Sequence, residues 1–281
     1  MKTAAFVLVP GLAALLISGS VARADPDTSA PRALATMDWV GSNSEVAVDA
    51  AYTNFADDEF EEGLESLRFD LHGRYVHPSG FGVTAALPFS SVWLDGDNEN
   101  AIGNLSIGGL YTHRSGSTEI FARAGVVLPT AEHEDGVYNA FAGFGRLADL
   151  MTGYPETTTL QLSVSPQFTS GRVFVRGDLG LDVVVDKPDD AGDGFGPLGH
   201  LSAAVGLDTG PVDIAAESVN EINFGDVGED ESRMIHTLGL SASYSDGWIR
   251  PHVGLALPVG KDLSDLVDFV VLAGVSGTIG G

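Results

Sequence analysis

The chain has 281 residues, 36 of them glycine and none cysteine, and its 39 acidic against 14 basic side chains give a formal net charge of −25. So acidic a chain is a poor partner for the phosphates of nucleic acid. Without cysteine it has no disulfide, no thiolate nucleophile or metal ligand, and no site for a lipoprotein anchor.

At the start, Met1-Lys2, the apolar run Ala4 to Ile17 and the small-x-small triplet Ala22-Arg23-Ala24 read as a signal peptide over 1–24, cleaved before Asp25. Residues 25–43 show no alternation and are expected to form a periplasmic N-terminal segment, a loose lead or partial plug. From 44 to 281 the pattern changes. Stretches that alternate apolar with polar or small residues run over 44–54, 65–77, 80–93, 103–114, 117–129, 158–169, 172–185, 197–208, 211–222, 234–245, 248–258 and 267–280. Short connections such as Arg114-Ser115-Gly116-Ser117 and Ser245-Asp246-Gly247 take turns with long acidic ones such as Asp186 to Gly196 and Asp226 to Arg233. Tight turns at one end and long loops at the other predict a transmembrane, antiparallel, up-and-down β-barrel of about twelve strands, of the outer-membrane type, with the short turns in the periplasm. The expected location is the outer membrane, with lipid and lipopolysaccharide around the wall and the barrel-assembly machinery as an insertion partner.

Successive side chains on a strand face opposite sides, so each strand can be split into two faces. Leu67, Phe69, Leu71 and Tyr75 oppose Arg68, Asp70, His72 and Arg74; Val173, Val175, Leu179 and Leu181 oppose Arg172, Arg176, Asp178 and Asp182. Val212 and Ile214 oppose Asp213, Glu217 and Glu221, and Val253 and Leu255 oppose Arg250 and His252. A soluble sandwich would bury the apolar faces against each other; a barrel in lipid turns them outward and encloses the charges. Aromatics near strand ends support the second arrangement, with Tyr75, Phe81, Phe168, Tyr244 and Trp248 by the short turns and Tyr52, Phe89, Trp93 and Phe269 by the long loops. The predicted lumen lining is Arg68, Asp70, His72, Arg74, Arg123, Arg172, Arg176, Asp178, Asp182, Asp213, Glu217, Glu221, Arg250 and His252, with Asp268 on the same face. Small inward residues, among them Ala86, Ser106, Ser163, Ser202 and Ala204, leave room between them and favour an open path for a small-molecule solute.

The longest connection, Thr130 to Thr157, predicts a short helix over 140–151, capped by Asn139, with Phe141, Phe144, Leu147 and Met151 on one face. Two roles stay open for it: a lid over the mouth that touches permeants, or a satellite core of its own loop. The acidic clusters in the other long connections read as solvated loops, with divalent cations bridging them to lipopolysaccharide as a secondary role.

The segment Ile102-Gly103-Asn104-Leu105-Ser106-Ile107-Gly108-Gly109-Leu110-Tyr111, followed by Gly125-Val126-Val127-Leu128-Pro129-Thr130, resembles the recurring pattern of an outer-membrane transporter-like family named for the MetA pathway of phenol degradation. The stretch Leu257-Pro258-Val259-Gly260 echoes it. The resemblance implies a barrel that passes small, often aromatic or hydrophobic, solutes, and it transfers no binding residue. Catalytic signals are weak by comparison. His113 and Ser115 sit two apart, as in outer-membrane phospholipases, but at a short turn. The seven histidines are scattered without metal-ligand spacing, and no cofactor motif occurs. The expected function is a channel for small solutes, with a closed structural or adhesive barrel acting through its acidic loops as the alternative and a lipid hydrolase as a third reading.

Overall fold

The computed structural model describes residues 34–37, 39–56, 63–94, 97–131, 136–187, 196–225 and 232–279. The expected signal peptide, the segment 25–33 and most of the acidic loop residues, His133 among them, lie outside these. In chain order the strands are β1 (Glu45–Phe55), β2 (Glu65–Val76), β3 (Phe81–Leu94), β4 (Asp97–Ile102), β5 (Leu105–Ser115), β6 (Thr118–Leu128) and β7 (Thr158–Ser170). There follow β8 (Val173–Asp186), β9 (Leu198–Asp208), β10 (Val212–Asn223), β11 (Met234–Tyr244), β12 (Ile249–Val259) and β13 (Val267–Thr278). Helix α1 (Gly136–Gly143) and a 3-10 segment (Leu147–Gly153) lie between β6 and β7, and a single turn, α2 (Lys261–Ser264), precedes β13.

Twelve of the strands close into an antiparallel barrel. Each pairs with its sequence neighbour, and β1 meets β13 from Glu45 opposite Thr278 to Phe55 opposite Val267, which leaves no edge. The short β4 was not expected. It pairs only with the upper part of β3, from Phe89 opposite Ile102 to Leu94 opposite Asp97, and runs into β5 through a break at Gly103-Asn104. Its Asp-Asn-Glu-Asn sequence stands exposed on both faces above the rim, so it carries no apolar alternation by which to be read. The other strands begin and end within two residues of the alternating stretches.

The tight turns follow from their glycines. Gly116, between paired Ser115 and Thr118, has φ 60°, and Gly171, between paired Ser170 and Val173, has φ 58°. Both are left-handed values at the first of two turn residues, the requirement of a type II′ hairpin. Along the walls the apolar faces point away from the bore. Val83, Leu162, Leu179, Val205, Ile214, Leu240 and Val253 are each half exposed or more, on strands all round the barrel. A belt of this extent on a soluble protein would be an aggregation site; against acyl chains it is the solvent-facing surface. Tyr75, Phe81, Phe168, Tyr244 and Trp248 are exposed near the short turns, and Phe89 is exposed toward the long loops. Among the described residues no helix is long and apolar enough to cross a membrane, so crossing falls to the strands.

Candidate functional site

The bore has two unlike walls. On β2 and β5 to β10 the inward positions carry charges and amides that bond to one another. Arg68 donates to both oxygens of Asp70, one contact being 2.7 Å, and a further guanidinium N–H reaches Thr152 at 2.8 Å. Arg123 donates to Ser106 and Gln161, both at 2.9 Å, and Gln161 donates to Asp182 at 3.1 Å. His200 bridges Glu221 at 2.7 Å and Asp182 at 3.3 Å. Ser165 donates to Asp178, which Arg176 approaches at 3.4 Å. Toward the short turns Arg74 pairs with Glu45 at 3.2 Å. Asp49 accepts from His72 at 3.0 Å, with the Nε2 of His252 at 2.8 Å from its other oxygen. Buried charges must be paired in this way, because an unpartnered one costs several kcal/mol, about 3–5.

The second wall, on β10 to β13 and β1, carries an apolar patch beside its own polar positions Glu45, Asp49, Asp213, Arg250 and His252. Ala215, Val219, Ala256, Val270, Leu272 and Ala51 face inward and are buried. What buries them is not strand. Residues 34–37 and 39–41, a strap that precedes β1, lie inside the barrel, with Leu34, Ala35 and Met37 in one buried cluster with this wall. The strap fits closely. A Cβ on Gly254 would lie 2.3 Å from that of Ala35, and one on Gly239 would lie 2.9 Å from Thr36. Its backbone is held by Glu217, which accepts from Ala35 N–H at 3.2 Å, Thr36 N–H at 2.9 Å and the Thr36 hydroxyl.

The long connection between β6 and β7 also enters the bore. Gly145 sits against β1, where a Cβ would lie 3.1 Å from that of Ala51. Beside it Arg146, 3% exposed, binds Asp149 at 2.6 Å and donates to the strap carbonyls of Met37 at 2.8 Å and Ala35 at 3.3 Å. Its guanidinium carbon lies 3.6 Å from the Trp39 ring centre, and the other face of that indole stacks on His72 at 3.5 Å and 6°. Burial alone would push the Asp149 carboxyl up; Arg146, Arg123 and Arg68 around it outweigh that and hold it below the usual aspartate range. Asn104, fully buried in the break between β4 and β5, ties the loop to the wall: its N–H donates to Thr152 O at 2.8 Å, its amide to Tyr154 O, and its carbonyl accepts from Ala131 N–H at 2.9 Å.

Against expectation, three features differ. First, the fourteen residues read as lumen-lining all face inward except Arg172. It falls in the two-residue turn after Gly171, one position short of the strand, and is exposed. Asp268 is likewise exposed and bonds to Asn54 at 3.0 Å, because the β1–β13 register shifts at Asn54/Phe55 and breaks the parity of that face. Second, the helix over 140–151 does not form as one piece. Helix α1 starts earlier, at Gly136, so Asn139 lies inside it, and Gly145 breaks the rest into a 3-10 segment. Phe141 and Phe144 are half-buried edge-on against Phe55, at 5.5 and 6.2 Å, and Leu147 and Met151 are buried. Phe141, Phe144 and Leu147 join the buried cluster of strap and wall, whereas Met151 lies in a second, smaller cluster with Leu150 and Leu198. Third, the space left by small inward residues is taken. Four cavities among the described residues, one of them beside Trp39, His72, Arg74 and Arg250, hold about 20 Å³ each, room for roughly one water. His113 and Ser115 are exposed at a short turn, away from the bore.

Several contributors were not read as lining. Asp49 and His200 share parity with small inward neighbours, Ala47 and Ser202, and were legible by that rule. Trp39 and Arg146 lie outside any strand, where alternation is silent.

No protein-family model matches the chain, and no curated protein matches it. Among solved structures, an outer membrane channel from Pseudomonas putida F1 is similar with a TM-score of 0.63 at 11% identity, over 92% of this chain and 100% of that one. The KdgM porin gives 0.48 at 10% identity over 84% and 100%, and outer membrane phospholipase A from Escherichia coli gives 0.44 at 12% over 84% and 90%. The fold is that of an outer-membrane β-barrel. At these identities the likeness is one of architecture.

Proposed function

We propose that the protein is an outer-membrane channel for small hydrophobic or aromatic solutes, closed at rest by its own strap and loop and opened when the strap leaves. The observation that carries this is how the bore is filled. Neither segment joins the sheet as a strand; the strap is held by side-chain hydrogen bonds from Glu217 and Arg146 and by apolar contact, and the loop by Arg68, the Asn104 side chain and one main-chain bond from Asn104 to Thr152. Twelve strands lie between the eight that side chains fill and the sixteen that leave an open channel, so withdrawal of the strap, with the loop left in place, opens a narrow passage along the charged wall. The likeness in fold to a channel, and the resemblance of the Gly103-Asn104 and Leu128-Pro129-Thr130 segments to the phenol-pathway transporter-like family, support the same reading. Removal of 1–24 and assembly by the outer-membrane insertion machinery are part of it.

Single-channel recording on refolded protein, with solute competition, tests the proposal. Discrete openings are expected, with ion selectivity altered by Arg176→Gln, which removes a charge from the polar wall. A protein silent at every voltage even after the strap is released contradicts it. The second reading, a closed barrel working through its acidic loops, draws on the single buried cluster that joins strap, loop and wall, and it predicts that silence. If those loops also bridge to lipopolysaccharide through divalent cations, a chelator should raise their protease sensitivity and leave the barrel folded. A hydrolase is disfavoured by the exposed, short-turn position of His113 and Ser115; lipase activity abolished by Ser115→Ala would revive it.

A further inference from the structure

We infer that the slot filled by Trp39, between the His72 ring and the Arg146 guanidinium, is a binding site for an aryl-alkanoic acid, a flat ring carrying its carboxylate on a short flexible chain, which takes the strap's place there. The inference rests on the channel reading only for its physiological use; the site itself stands on geometry.

The strap shows what the slot accepts. It offers one flat ring, clamped between an imidazole at 3.5 Å and a guanidinium at 3.6 Å, and two acceptor oxygens, Ala35 O and Met37 O, to the two terminal nitrogens of Arg146. Both jaws are fixed by groups other than the strap. His72 is bonded to Asp49 on the wall, and Arg146 keeps its Nε on Asp149, in a loop that Arg68 and Asn104 hold to the barrel. When the strap departs, the jaws therefore keep their spacing, one aromatic ring thick, and Arg146 presents an empty terminal edge. The carboxylates nearest to it are already engaged: Asp149 on its Nε, Asp70 on Arg68, Asp49 on the two histidines.

Two parallel N–H donors on a guanidinium match the two oxygens of a carboxylate, and a bidentate pair of this kind is stronger than bonds to neutral carbonyls. A ring stacked on imidazole and beneath a cation adds quadrupole attraction. A ring lying flat under the guanidinium cannot hold a directly attached carboxylate in the guanidinium plane, just as the strap supplies its ring from Trp39 and its acceptors from Ala35 and Met37; an aryl-alkanoic acid of 3-phenylpropionate size, whose short flexible chain lets the carboxylate reach the edge, meets both demands. A neutral aromatic meets only the stacking and leaves the buried donors unsatisfied, while an alicyclic acid meets only the ion pair.

The test uses the full chain carrying Trp93→Phe and Trp248→Phe, which leaves Trp39 as the single indole of the three. 3-Phenylpropionate, 3-phenylpropan-1-ol and 3-cyclohexylpropionate are titrated against Trp39 emission. 3-Phenylpropionate is expected to release Trp39 saturably, with an apparent affinity about tenfold or more above either analogue, and Arg146→Gln to abolish that preference. Equal responses to the three, or none to 3-phenylpropionate at millimolar concentration, overturn the inference. Conductance of a Gly254→Leu variant, whose side chain occupies the strap's groove, is read separately. If it conducts while 3-phenylpropionate leaves Trp39 unmoved, the site assignment fails and the channel reading stands. If 3-phenylpropionate binds as expected and the variant is silent, the site stands and the channel reading fails.

Discussion

The charges on β2 and β5 to β10 are completed by side chains of the wall itself, whereas the apolar patch on β10 to β13 and β1 is not. On the first, each charge finds its partner on the same or a neighbouring strand, as Arg68 finds Asp70 and His200 finds Asp182 and Glu221. On the second, Val219, Ala256, Val270 and Leu272 would face water across an open bore, and the strap and the β6–β7 loop together cover them. The difference teaches that the plug is specified by the barrel's own interior: a one-sided apolar lining needs a cover, and two glycines and one carboxylate on that side give the cover its seat.

That contrast can be broken at the pin, at the seat or at the wall joint. Arg146→Met strikes hardest, since it strands buried Asp149 and frees both strap carbonyls; a loss of about 3–5 kcal/mol is expected, read as strap cleavage by protease added on the short-turn side. Glu217→Ala removes the acceptor of two amides and a hydroxyl, worth about 1–3 kcal/mol; amide exchange at Ala35 and Thr36 should rise by on the order of tenfold or more while exchange in β2 to β8 stays unchanged. Asn104→Ala leaves the buried Ala131 N–H without its acceptor and removes the donor to Tyr154 O while keeping the main-chain bond to Thr152, for about 1–3 kcal/mol, which mass-spectrometric exchange should report at Ala131 and around Tyr154 ahead of the strap. Arg172→Gln, exposed in its turn, should change thermal stability by less than about 0.5 kcal/mol and leave ion selectivity as it was.

The barrel was legible because its signal is local. Parity along each strand separates Arg176 and Asp178 from Val175 and Leu179 without any knowledge of neighbours, and a glycine at each short turn marks where parity restarts. It failed where the rule itself lapses, at the Asn54/Phe55 shift that turned Asp268 outward and at the turn that holds Arg172. The closed bore was less legible, since it depends on segments without period. One signal pointed to it. In β13 the run Phe269-Val270-Val271-Leu272-Ala273 is apolar on both faces, the mark of a strand covered on both sides, and a barrel strand covered on its inner face needs something in the bore. Arg146 carried a similar hint as the single charge in Ala140 to Ala148, a residue that a solvated loop would not surround with apolar neighbours.

The most direct measurement locks the strap. The chain has no cysteine, and the closeness of Thr36 to the Gly239 position suits a disulfide, so Thr36→Cys with Gly239→Cys gives one bond between strap and apolar wall. In planar bilayers the oxidised protein should stay closed and reduction should bring discrete openings. Identical conductance before and after reduction would contradict the claim that this strap closes the bore.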